Sequence, residues 1–318
     1  MYNLGVDLGG TNIAVGVVND KFEIVGRGKK KTSAPRPATE IADDIAAACR
    51  MALEDAGITL DDVSSVGIGS PGSVDPKTGV VASSNNLGFV SVPLVELVSS
   101  RLSGKKTYIE NDANAAAYGE FMAGAGKGTK DFVIITLGTG VGCGIIIDSK
   151  LFTGANNAGG ELGHTTIVFN GENCNCGRKG CWETYASATA LIRQTKAEMV
   201  KDTDSLMWEI VGNDQNKVNG RTAFEAMRRG DRAAKQVVDK YILYLSCGVA
   251  NAVNIFQPEV LCIGGGISNE GETLIAPVRK IIEFERYSKN VKKQTEIRKA
   301  ELGNDAGIIG AACLYNLN

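Results

Sequence analysis

The sequence predicts an α/β protein of two lobes, and three observations carry that prediction. At 318 residues the chain exceeds the length over which a single hydrophobic core usually keeps growing. Its N-terminal part alternates strand, helix and strand, the pattern of an α/β sheet. A strand, glycine turn, strand unit occurs twice, as Asp7-Leu-Gly-Gly-Thr-Asn12 and as Thr136-Leu-Gly-Thr-Gly-Val-Gly142, which points to duplicated α/β domains rather than a short-period repeat.

The elements follow in order. Residues 2 to 7 and 13 to 18 read as two strands of a hairpin with Gly9, Gly10 and Thr11 at its tip. Over 38 to 57 the apolar positions Ile41, Ile45, Ala48, Cys49, Ala52 and Leu53 recur at helical spacing, and Gly57 supplies the left-handed stop. Residues 63 to 69 form a buried-strand pattern that ends in the turn Ser70-Pro71-Gly72. Beyond it the chain reads as helix 93 to 102, strand 106 to 110, and a small-residue helix 112 to 123 that starts at an acidic cap. Strand 131 to 137 runs into Gly138-Thr139-Gly140-Val141-Gly142 and continues as strand 143 to 148. The stretches 184 to 200 and 222 to 256 are helical, and in the second Val237, Val238, Ile242, Leu245, Val249 and Val253 trace one apolar face. Strand 259 to 263 meets Gly264-Gly265-Gly266, followed by helix 273 to 284, a basic strand-like stretch, and a last helix from Asp305. The expected division is a small lobe over 1 to 112, onto which 305 to 318 packs back, and a larger lobe over 113 to 304.

Composition excludes several classes of function. A hydrophobic content of 43% with 22% charged residues is that of an ordinary globular protein, not a disordered one. A net charge of −2 gives no broad positive field, so neither nucleic acid nor a membrane surface is an expected partner. The absence of a signal-like N-terminus and of any long apolar window is read as a cytoplasmic location. Five of the eight cysteines (Cys49, Cys143, Cys247, Cys262 and Cys313) are scattered among small or apolar neighbours and read as fillers.

The other three, Cys174, Cys176 and Cys181, follow His164 within eighteen positions. One imidazole and three thiolates complete a tetrahedral Zn²⁺ site with no open position, which marks a structural metal. His164 is also the one histidine in the chain, so a zinc-bound His164 leaves proton abstraction to a carboxylate. Asp112, in Glu110-Asn111-Asp112-Ala113, sits where a strand gives way to a helix; on its own it reads more readily as a helix N-cap, and the glycine turns reverse that preference toward the catalytic reading. Those turns, Gly9-Gly10-Thr11-Asn12, Gly138-Thr139-Gly140 and Gly264-Gly265-Gly266, let backbone amides approach phosphate oxygens, with Asp7 placed to hold hydrated Mg²⁺. They match neither a P-loop nor a dinucleotide fingerprint. Glu161 and Glu183 flank the metal loop, where zinc would fix both carboxylates for binding sugar hydroxyls, and Asn86 adds a loop amide.

With Asp7-Leu-Gly-Gly-Thr11, Asn111-Asp112-Ala-Asn114, Leu137-Gly-Thr-Gly-Val-Gly142, Glu161-Leu-Gly-His164 and Cys174-x-Cys-Gly-x-x-Gly-Cys-x-Glu183 in this order, the chain resembles the ROK family along its whole length. The resemblance implies the two-lobed actin/Hsp70/hexokinase-like (ribonuclease H-like) fold, with ATP and Mg²⁺ in the cleft and a hexose as substrate, glucose favoured. Carried across, Asp112 is the base for the sugar 6-hydroxyl, Asn86, Asn111, Glu161, His164 and Glu183 hold the sugar, and the three glycine turns line ATP. The metal-bound His164 would touch the sugar through its other ring nitrogen. Fructose, allose, N-acetylglucosamine or N-acetylmannosamine remain alternative substrates, and polyphosphate an alternative donor. ROK repressors, a non-enzymatic alternative, carry a helix-turn-helix domain ahead of the first glycine turn, which here begins at Asp7, so the enzyme reading is preferred. The resemblance also implies a homodimer or a dimer of dimers.

Overall fold

The computed structural model describes residues 1 to 317; Asn318, the last residue of the expected C-terminal segment, lies outside the described residues. The elements, in chain order, are β1 (Tyr2–Leu8), β2 (Asn12–Val18), β3 (Ile24–Lys31), α1 (Ala38–Ala56), β4 (Val63–Ser70), β5 (Ser73–Asp75), β6 (Val80–Ser84) and β7 (Phe89–Val92). There follow α2 (Leu94–Arg101), β8 (Thr107–Asn111), α3 (Asp112–Ala123), β9 (Phe132–Leu137), β10 (Val141–Ile147) and β11 (Lys150–Leu151). The remainder comprises α4 (Glu183–Ala186), α5 (Ala188–Lys201), α6 (Leu206–Ile210), α7 (Thr222–Arg228), α8 (Arg232–Phe256), β12 (Val260–Gly264), α9 (Glu272–Glu285), β13 (Glu296–Lys299) and α10 (Ala306–Ala312). The expected mixed α/β class is observed, and the contacts divide the chain into two compact units. One holds residues 1 to 132, 144 to 160 and 301 onward; the other holds 133 to 143 and 161 to 300. No helix among the described residues is long and apolar enough to cross a membrane.

The first unit is organised by a five-stranded sheet in the order β3-β2-β1-β4-β8. Strands β1, β4 and β8 run parallel, and the β1-β2 and β2-β3 pairs are antiparallel. In such a sheet ligands are expected at the carboxyl ends of the parallel strands. Here those ends carry Asp7 on β1, Ser70 on β4 and Asn111 on β8, the residue before Asp112. Leu4, Val6, Ile13, Val15, Ile41, Ile45, Val66 and Ile68 are buried in the core beneath them.

Glycine decides how close the helices come. Gly5, Gly16 and Gly67 lie side by side in register across β1, β2 and β4. A Cβ on Gly5 would sit 1.9 Å from the Ile308 carbonyl oxygen, and one on Gly67 1.7 Å from that of Ala311. Helix α10 therefore packs its backbone directly on the sheet. It meets α3 in the same way, since a Cβ on Gly310 would fall 1.7 Å from the Ala115 carbonyl oxygen.

Two features of this unit escape sequence reasoning. Strand β3 has no apolar inward face, because its inward positions include Gly26 and Gly28, whose missing side chains admit α1; a Cβ on Gly28 would lie 1.9 Å from the Ala48 carbonyl oxygen. The small antiparallel sheet β5-β6-β7 is made of strands of three to five residues with exposed polar positions, too short to show a period.

In the second unit β9, β12 and β13 belong to a sheet of order β11-β10-β9-β12-β13, with β12 and β13 parallel. The single helical stretch expected over 222 to 256 is two helices. Gly230 turns the chain at φ 89°, and Asp231 caps α8 by accepting the Ala234 amide at 2.7 Å, while its other oxygen accepts the Leu206 amide at 2.6 Å. Likewise 184 to 200 is broken at Ser187, whose hydroxyl accepts the Ala190 amide as the cap of α5.

Replacement of Gly67 by alanine should force α10 off the sheet and lower unfolding stability by about 3 kcal/mol, read as the shift of a denaturation midpoint. An unchanged midpoint would show that the glycine row has no packing role.

Candidate active site

The first glycine turn is built by its neighbours. The Gly9 amide donates to the Asn12 carbonyl oxygen at 2.9 Å and closes the turn. The fully buried Thr32 then holds it from behind: its hydroxyl donates to the Gly9 carbonyl at 2.6 Å and its amide to the Thr11 carbonyl at 2.9 Å. Gly10 faces Asn86, with a hypothetical Cβ 3.5 Å from that of Asn86, so the turn and the expected sugar-side loop are neighbours. The buried Oδ1 of Asn12 has no hydrogen-bond partner.

Two carboxylates stand at this edge of the sheet. Asp7, near the end of β1, has its carboxyl 3.2 Å from where a Cβ on Gly307 of α10 would be, so a side chain there would crowd it. Burial, reinforced by the charge of Asp112, pushes the Asp7 pKa up from 3.8 to about 6. Asp112 is raised as well, by burial, against the lowering effect of the Ala113 amide that it accepts at 2.9 Å. The strand between them carries Gly69, whose Cβ would lie 3.5 Å from the Asp112 Cα. A like-charged, desolvated pair of this kind suits a divalent cation.

The helix cap is not Asp112. Asn111 takes that position, accepting the amides of Ala113 at 2.9 Å and Asn114 at 3.2 Å through its side-chain oxygen and donating its amide nitrogen to the Gly72 carbonyl at 3.0 Å. Asp112 is thus the first helical residue. The acidic-cap alternative is thereby corrected, because Asn at the strand end reaches the free helix amides first. Glu110, also raised by burial, turns inward to accept the Asn111 amide at 2.9 Å and the Asn114 side chain at 3.0 Å.

In the second unit Gly138 closes the second turn by donating to the Gly140 carbonyl at 3.0 Å, and its own carbonyl accepts the first amide of α5, from Ala188, at 2.9 Å. Thr139 lies between them. Gly265, at φ 81°, presses on the Leu137 backbone; a Cβ there would lie 2.5 Å from the Leu137 oxygen. The run Gly264-Gly265-Gly266 therefore adjoins Gly138, while Ser268 donates its hydroxyl to the Gly265 carbonyl at 2.7 Å.

His164, Cys174, Cys176 and Cys181 bring their ligand atoms within 4.8 Å of one another. The Cys176 and Cys181 sulfurs are 3.7 Å apart, and the Cys174 sulfur is 3.6 Å from His164 Nδ1. Around a tetrahedral zinc ion, sulfur edges of about 3.8 Å and sulfur-nitrogen edges of about 3.5 Å follow from the usual bond lengths, so these two edges match such a site. Arg178 braces the loop on the His164 carbonyl and the Thr166 hydroxyl, each at 3.1 Å. The fully buried Trp182 anchors it to α8 through a 2.9 Å bond to the Tyr244 carbonyl, and Gly248 leaves room for the indole.

Glu183 connects this loop to the second turn: one carboxylate oxygen accepts the Val141 amide at 3.1 Å, and the other lies 3.9 Å from the Cys174 sulfur. A side chain at Gly140 would collide with it, at 2.0 Å. Glu161 precedes the turn that carries His164 and is exposed. Asp7, the first glycine turn, Asn86, Asn111 and Asp112 thus belong to the first unit, and Glu161, His164, the cysteines, Glu183 and the other two glycine turns to the second.

Sequence reasoning missed Thr32 and Glu120. Glu120 is fully buried and its carboxylate accepts three amides, from Ala125 at 2.9 Å, Glu301 at 3.1 Å and Leu302 at 2.7 Å, fixing the segment that leads into α10. No local pattern marks either residue, because their partners are distant in sequence. A cavity of about 440 Å³ between α5 and α8, lined by Tyr185, Arg193, Lys240 and Tyr244, contains none of the expected site residues.

Two α/β units carrying glycine turns, a paired carboxylate edge and a Cys₃His cluster define a class, and the comparisons agree. The ROK family model matches residues 3 to 317. The chain is 38% identical over 98% of its length to a glucokinase of Thermotoga maritima, covering 96% of that protein. It superposes with a TM-score of 0.81 on the crystal structure of a ROK family glucokinase from Streptomyces griseus in complex with glucose and AMPPNP, at 37% identity and 99% coverage of both chains. For a ROK hexokinase from Thermus thermophilus the TM-score is 0.79, at 30% identity, covering 98% of this chain and 97% of that one. The chain belongs to the ROK family.

Because the folded protein keeps the Asp7 proton up to about pH 6, whereas the unfolded chain releases it near 3.8, folding stability falls as pH rises between those values. Asp7→Asn should remove that slope and raise stability at pH 7 by up to about 3 kcal/mol. A variant no more stable than the parent at pH 7 would show that Asp7 is solvated.

Proposed function

We propose that this protein transfers the γ-phosphoryl group of ATP to the 6-hydroxyl of glucose. The observation that carries the reading is the desolvated Asp7 and Asp112 pair beside an amide-lined glycine turn. Its support from relatives is the 38% identity to a glucokinase and the likeness to a glucokinase structure holding glucose and AMPPNP.

In this mechanism Asp112 accepts the proton of the 6-hydroxyl, and its raised pKa keeps it basic enough to draw on that proton as the hydroxyl oxygen attacks phosphorus. With α3 capped by Asn111, Asp112 bonds the Ala113 amide through Oδ1 and is not the residue that closes the helix end. Asn111, with Asn86, Glu161, His164 and Glu183, orients the sugar. His164 turns Nδ1 toward Cys174, leaving Nε2 for a hydroxyl. Asp7 would hold Mg²⁺, which would supply neutralisation of the phosphate charge. The amides of Gly10 and Thr11, with those of Gly138 to Gly140 and Gly264 to Gly266, bind the nucleotide. His164, Cys174, Cys176 and Cys181 would hold a structural Zn²⁺, which would stiffen the loop between Glu161 and Glu183 and set both carboxylates before the sugar arrives.

An ADP-release assay over glucose, fructose, allose, N-acetylglucosamine and N-acetylmannosamine should give the highest kcat/KM with glucose; no ADP release with any hexose would overturn the reading. Asp112→Asn should lower kcat by about a thousandfold or more while glucose affinity stays within a few fold, and the acid limb of the parent's pH profile should lie above the ordinary carboxylate range. Cys176→Ser should strip zinc from the purified protein, measured by elemental analysis, and loosen the loop; an active parent protein containing no zinc would refute that part.

A further inference from the structure

We infer that Thr32 is a positioning residue for the nucleotide, acting through the backbone of the first glycine turn. In a planar trans peptide the carbonyl and the N–H of one unit point in opposite directions. The Gly9 carbonyl and the Gly10 N–H belong to the same unit. By drawing the Gly9 carbonyl inward at 2.6 Å, the Thr32 hydroxyl aims the Gly10 amide outward. The Thr32 amide also holds the Thr11 carbonyl, at 2.9 Å, which fixes the far side of the turn at the Thr11-Asn12 peptide. Neither the Gly10 nor the Thr11 amide meets a protein acceptor among the described residues, so the turn offers two free donors, as an anion site requires.

Thr32 is itself fixed from behind. It is completely buried at the end of β3, and its carbonyl accepts Arg36 Nε at 2.7 Å. Arg36 is ion-paired with Asp44 of α1, and Lys30 of β3 reaches the same carboxylate at 3.3 Å. The turn is thus tied through Thr32 to a helix on the sheet, which keeps its amides oriented in the absence of phosphate. The following residues reach the expected sugar side, where Pro35 lies 3.1 Å from a hypothetical Cβ on Gly88.

This inference rests on the proposed use of ATP and is tested by direct binding. Titration calorimetry with AMPPNP and Mg²⁺ should show the dissociation constant rising about tenfold in Thr32→Val, which keeps the shape and loses the hydroxyl, and returning to within about threefold of the parent in Thr32→Ser. Glucose affinity should change less than twofold in both. Should Thr32→Val fail to fold, Thr32→Ala carries the same expectation. A Thr32→Val protein that binds AMPPNP as the parent does, or a Thr32→Ser protein as weak as Thr32→Val, overturns the inference alone. A parent that binds no AMPPNP overturns the nucleotide reading together with it.

Discussion

The approach of α10 to the glycine row of β1, β2 and β4 is the constraint from which the first unit takes its form. A Cβ at Gly5 or Gly67 would stand less than 2 Å from an α10 carbonyl oxygen, so the helix cannot occupy its place over a sheet with side chains on that row. Once there, α10 sets Gly307 against the Asp7 carboxyl and Gly310 against α3, whose first residue is Asp112. Helix, strand end and second helix are thereby locked together, and two carboxylates are held where water solvates them poorly. Like charges in such a corner cost folding stability. The buried Glu120, accepting two amides of the segment that enters α10, is what keeps that helix from relaxing away.

The second unit reaches a similar end with different chemistry. Its second glycine turn is fixed by α5 through the Gly138 carbonyl, by Glu183 through the Val141 amide, and by Gly265 through backbone contact with Leu137. Glu183 stands at the end of the Cys₃His loop and beside the turn at once. A change in that loop therefore reaches the turn through one side chain.

Much of this was legible in the sequence where the signal is local. The glycine turns, the Cys₃His spacing, α1 with its Gly57 stop and the β8 to α3 junction all follow from neighbouring residues. What was not legible depends on partners far along the chain. Strand β3 hides because glycine stands where an apolar face would show it, and the reason for that glycine is the Ala48 carbonyl twenty residues on. Thr32 gives no sign of its task, since Gly9 is remote in sequence and adjacent only across the sheet. The split of the stretch 222 to 256, in contrast, was marked by Gly230 followed by Asp231, a stop and a cap in succession that helical periodicity on either side conceals.

The identity of the cap on α3 bears on the chemistry. An aspartate that caps a helix is held by two or more amides, which lowers its pKa and weakens it as a base. With Asn111 in that position, Asp112 accepts the Ala113 amide through Oδ1, and burial outweighs the lowering effect of the hydrogen bonds around it. Under the proposed mechanism, the sequence Asn-Asp at the strand end thus divides two tasks that one carboxylate would perform badly together: the amide satisfies the helix, and the acid keeps the affinity for a proton that a general base needs.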